Sequence, residues 1–164
     1  MLVVGMISHG CGSDTFTSAD ATAVAYLLRG LSTCDGASSS RGACEREGTF
    51  DIEGSPSHTL GFDDCGTLEG ISLTTSTPLS VSVIGPCSSG SIDDQITGEF
   101  DWSKSHGDGH CDLSVEVTRM FGTCPIDNPP DGFVCELSAT IRGTMCDLDI
   151  DEICAFGTSK IECP

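Results

Sequence analysis

Between Thr49 and Met145 the chain alternates apolar and polar residues with a period of two. Phe50 and Ile52 alternate with Thr49, Asp51 and Glu53, Ile71 and Leu73 with Ser72 and Thr74, and Leu79, Val81 and Val83 with Ser80 and Ser82. Ile96, Phe100 and Trp102 share a face with Gly98, opposite Thr97, Glu99 and Asp101. Leu113, Val115 and Val117 face away from Asp112, Ser114, Glu116 and Thr118, and Leu137, Ala139, Ile141 and Met145 away from Glu136, Ser138, Thr140, Arg142 and Thr144. Successive side chains of a strand point to opposite faces, so this pattern predicts half-buried antiparallel strands over about 49–150. Clusters such as Gly54-Ser55-Pro56-Ser57 and Asn128-Pro129-Pro130-Asp131-Gly132 separate them.

A period of 3.6 occurs once, before the strands. Val24, Leu27, Leu28 and Leu31 form one apolar stripe that Cys34 continues, with Thr17 or Ser18 as cap, Asp20 in the first turn and Gly36 as terminator. The spacing predicts a helix over 18–34, packed on the sheet. The expected fold is therefore mainly β: an antiparallel meander forming a small barrel or sandwich, with one N-terminal helix.

Composition adds sulfur to this picture. Aromatics are scarce, with one Trp, one Tyr and seven Phe among 164 residues, so the core is thin. Eleven cysteines occur without a C-x-x-C motif, which disfavours zinc ribbons and thioredoxin-type redox sites. At this density a disulfide framework in an oxidising compartment is the expected state.

One pairing follows from register. The strands 111–124 and 135–146 flank the Pro-rich loop and should form a hairpin in which Val117 faces Ile141. That phase turns Arg119 inward and Met120 outward. An extra residue near Thr118–Arg119 would reverse both and set Cys124 opposite Cys135. A Cys124–Cys135 bridge is expected on this ground. Cys34, Cys44, Cys65, Cys87, Cys111, Cys146, Cys154 and Cys163 allow 105 further pairings, among which sequence does not choose.

Cys11 stands apart, behind the short apolar run Leu2-Val3-Val4-Gly5-Met6-Ile7 and directly after Gly10. With the polar stretch Gly12-Ser13-Asp14, residues 1–14 resemble a bacterial lipoprotein signal. The resemblance implies lipidation of Cys11, a mature chain starting there, and a membrane partner reached through the lipid anchor, in the periplasm or at the cell surface. The chain then divides into a signal-peptide-like segment (1–10), a polar tether (11–17) and one disulfide-stapled domain (18–164).

Charge narrows the partners. Twenty-five acidic residues against seven basic give a net charge of −18, a field that repels phosphate backbones, so nucleic acid is not an expected partner. In SKSHGDGHCDL, His106, Asp108, His110 and Asp112 alternate in a Gly-rich stretch between two strands. These are the best metal-ligand candidates, because imidazole and carboxylate together suit zinc-like ions. Asp147, Asp149 and Asp151 match the start of an EF-hand loop. However, Glu152 stands where that loop needs Gly and Thr158 where it needs Glu, so an acid-faced strand is the simpler reading. No G-x-S-x-G occurs, and no cofactor is expected. The reading is a non-catalytic extracytoplasmic binding or envelope-surface module. The alternative is a small secreted hydrolase, metal-assisted through the 106–112 loop.

Overall fold

A computed structural model of the chain describes residues 15–31, 39–84, 90–126, 134–156 and 161–162. The alternating segments form strands of one antiparallel sheet. They are β1 (Ser39–Ala43), β2 (Thr49–Gly54), β3 (His58–Asp63), β4 (Cys65–Gly66), β5 (Ser72–Thr74), β6 (Leu79–Ile84), β7 (Gly90–Lys104), β8 (Gly107–Thr123), β9 (Val134–Met145), β10 (Leu148–Phe156) and β11 (Ile161–Glu162). The main path runs β1-β2-β3-β6-β7-β8-β9-β10-β11. At β7 the sheet forks: residues 93–97 pair with β6, while residues 101–103 pair with β5, which carries β4. The ends of the path, β1 and β11, do not pair, so among the described residues the sheet is open rather than a barrel.

The inner face carries the apolar positions that the alternation picks out. Ile52, Leu60, Phe62, Leu73, Val81, Ile96, Phe100, Val117, Ile141 and Ile150 are all buried and belong to one core. Strands as distant in order as β2 and β10 contribute to that core together with the helix, which requires the sheet to curl around it. Each such side chain contributes about 1.5–3 kcal/mol when fully buried.

The helix α1 (Ser18–Leu31) begins with a reciprocal cap. The Thr17 amide donates to Asp20 Oδ2 at 2.7 Å, and the Asp20 amide donates to Thr17 Oγ1 at 3.3 Å, which satisfies two otherwise open donors. Its buried stripe is Ala21, Val24, Ala25 and Leu28, while Leu27 and Leu31 are half-buried. The stripe is thus rotated from the expected one toward the alanines, whose small side chains let the helix lie close to the strands. Polar contacts fix its position. Thr22 and Tyr26 donate to Glu152 of β10, and Arg29 makes two hydrogen bonds to Glu136 of β9. Cys34 and Gly36 lie outside the described residues, as do Cys11, Cys87 and Cys163.

Three disulfides staple this frame. Cys44–Cys65 ties the turn after β1 to β4, Cys111–Cys146 ties β8 to the β9–β10 turn, and Cys124–Cys135 closes the far end of the β8–β9 hairpin, with Cα–Cα distances of 5.4, 4.6 and 5.0 Å. Cys154 is disulfide-bonded as well.

The expected Cys124–Cys135 pair is present, but its derivation needs two corrections. Register is regular from Leu113↔Met145 to Met120↔Ser138 and then shifts to Phe121↔Glu136, so the extra residue is Leu137 on β9, not one near Thr118–Arg119 on β8. Cys135 faces Gly122, and the bridge to Cys124 is diagonal. Arg119 also keeps its inward phase, at 5% exposure, while Met120 is 45% exposed. The reason lies on β7, where the fully buried Asp94 accepts a 2.6 Å hydrogen bond from Arg119 Nη2. A charge is tolerated in a core when it is paired in this way. The guanidinium also stands 5.7 Å from the Phe121 ring centroid.

Candidate functional site

The segment 106–112 is not a loop. Lys104 faces Gly107, so Ser105 and His106 form a two-residue turn and the rest continues as β8. Phe100 and Trp102 turn inward and meet Phe16 at centroid distances of 6.2 and 5.4 Å. Gly109 faces Trp102, and a Cβ there would stand 3.0 Å from the indole, so glycine makes room for the ring.

The same pleat sends the acidic residues and His110 to the outer face. Glu99 faces Asp112, Asp101 faces His110, and Ser103 faces Asp108. The Nδ1–H of His110 donates to Asp101 Oδ1 at 2.8 Å. A carboxylate accepts only, so this bond fixes the tautomer and leaves the lone pair of the neutral imidazole on Nε2. Nε2 lies 3.4 Å from Glu99 Oε2. One ligand atom from each of Glu99, His110 and Asp112 lies within 4.8 Å of the others. The hydrogen bond to Asp101, with the nearby charges of Glu99 and Asp112, holds the imidazole pKa above its ordinary value against a smaller opposing effect of desolvation.

Of the four residues singled out in sequence, this group contains His110 and Asp112. His106 occupies the exposed turn, and Asp108 lies two pairs closer to the turn than His110; neither belongs to the group. Glu99 and Asp101 are the partners that sequence reading missed. A two-residue turn at Ser105–His106 implies their register, which is the signal that was available.

The other acidic run behaves as an acid-faced strand. Cys146 and Asp147 both have positive φ, 51° and 62°, and make the tight β9–β10 turn. Asp149 faces Thr144, and Asp151 accepts a 2.8 Å hydrogen bond from Arg142. Among the described residues, no helix is long and apolar enough to cross a membrane. No protein-family profile, curated protein or solved structure matches this chain.

Proposed function

We propose that the chain is a non-catalytic extracytoplasmic module, held at a bacterial membrane by a lipid on Cys11, which uses the outer face of its sheet for binding. The observation that carries the compartment is the state of the sulfur: all seven described cysteines are in disulfides. Such bridges persist in oxidising surroundings. The binding role is supported by the openness of the β7–β8 patch, where the side chains of Glu99 and His110 are 65% and 56% exposed. Groups surrounded by water suit reversible capture of a ligand better than chemistry that depends on excluding water.

Intact mass of the protein purified from membranes tests the anchor. A mature chain beginning at Cys11 and carrying acyl mass is expected, whereas a chain beginning at Met1 without added mass overturns it. Thiol titration of the denatured, unreduced protein tests the compartment, with the seven described cysteines expected unreactive. Hydrolytic turnover that requires both His106 and His110 would overturn the non-catalytic reading.

A further inference from the structure

We propose that the outer face of the β7–β8 hairpin binds one divalent transition-metal ion of the zinc and copper(II) class, through His110 Nε2 and the carboxylates of Glu99 and Asp112. This names a ligand for the binding role proposed above and rests on that reading of the patch, independently of the lipid anchor.

Geometry supplies the first argument. In a tetrahedral site with bonds of about 2.1 Å, neighbouring ligand atoms are about 3.4 Å apart. His110 Nε2 and Glu99 Oε2 already have that spacing, at 3.4 Å, and the whole set fits within 4.8 Å. Rotation of exposed carboxylates closes the remaining ångström or so.

The donor set gives the second. Carboxylates alone would favour calcium or magnesium, whereas an imidazole nitrogen beside them selects zinc, copper or nickel. Asp101 takes the Nδ1–H and so presents the Nε2 lone pair to the metal position, the carboxylate–histidine arrangement that orients metal-binding imidazoles. Three protein ligands leave a fourth position for water.

Rigidity is the third. Cys111, between His110 and Asp112 in the chain, is 1% exposed and bridged to Cys146, so the strand that bears two of the ligands is pinned from behind. Glu99 comes from β7, paired with β8 along its whole length. Ligands held on paired strands keep their positions better than ligands on a loop.

Isothermal titration of the full, oxidised chain with zinc chloride in about 0.15 M salt tests the site. One zinc per chain is expected. His110→Ala and Asp112→Asn should each weaken binding at least tenfold, and Asp101→Ala, which removes only the orienting partner, about 10–100-fold. His106→Ala should leave it unchanged. All four side chains are exposed, and the circular dichroism melt of each variant separates a lost ligand from a lost fold. Absence of zinc binding, equal affinity for calcium that survives His110→Ala, or loss of binding with His106→Ala overturns the proposal. Zinc bound by a chain without acyl mass would remove the anchor and leave this site standing, and an acylated chain that ignores zinc would do the reverse.

Discussion

Two sets of charges lie on the same pair of strands, β7 and β8, and differ in which face they occupy. Asp94 and Arg119 point inward, with side-chain exposures of 0% and 7%, and the arginine spends its charge on the aspartate beside it. Glu99, Asp101, His110 and Asp112 point outward, three carboxylates around one imidazole, so negative charge is in excess there. Burial makes the difference. A core charge must find its counterion within the fold, because an unpaired ion in low dielectric is very expensive. An outward charge is hydrated and screened, so it can be held in excess of its partners.

That contrast orders the expected effects of mutation. Asp94→Ala leaves a buried guanidinium without its carboxylate and should destabilise the oxidised protein by about 3–5 kcal/mol in urea unfolding. The double variant Asp94→Leu/Arg119→Met should recover most of that loss. If the single change is harmless, the inner pair is not the constraint described here.

The two staples of the β8–β9 hairpin come next. Cys111–Cys146 spans 35 residues and Cys124–Cys135 spans 11. Chain entropy alone then predicts losses of about 4 and 3 kcal/mol on replacing each pair by serine. Unfolding of the two double variants side by side measures the difference.

Asp20 is intermediate between the two charge sets, partly covered and contacted by Lys104 Nζ at 2.7 Å. Burial pushes its carboxyl pKa up, but hydrogen bonds from Lys104 and Thr17 outweigh this and set it below the ordinary value. A lowered native pKa gives stability that is complete above the unfolded value of about 4 and is lost as pH falls through the native one. Asp20→Ala should cost about 1–2 kcal/mol at neutral pH. It should also flatten the acid limb of a stability–pH profile between about pH 5 and 2. The smallest effect belongs to the outer set: His110→Ala should leave metal-free stability unchanged within error, in an unfolding titration with chelator present.

Alternation made the inner face legible residue by residue, from Phe50 and Ile52 to Met145, because half-buried strands write their orientation into a period of two. What it could not show is pairing between charges distant in sequence. Arg119 in an inward phase looks like an error until Asp94, 25 residues earlier, is known to be its neighbour. The bulge expected at Arg119 had the right consequence for Cys124 and Cys135 and the wrong cause. β1 was missed because Ser39–Ala43 has no apolar alternation; it is an edge strand whose Gly42 lies under the Phe50 ring. At the candidate site, His110 and Asp112 were visible as residue types, but Glu99 and Asp101 needed a register that only the two-residue turn supplies.

Lys104 has a mechanical consequence. Its ammonium group grips both the Thr15 carbonyl and the Asp20 carboxylate, so the chain enters the domain pinned to the tip of the β7–β8 hairpin. Any pull arriving from the amino-terminal side is thereby shared between the helix and the longest ladder in the sheet, whose second strand is fastened to β9 and to the turn after it by covalent bonds. A pull from the proposed lipid tether would thus reach the sheet through that ladder rather than through the helix alone.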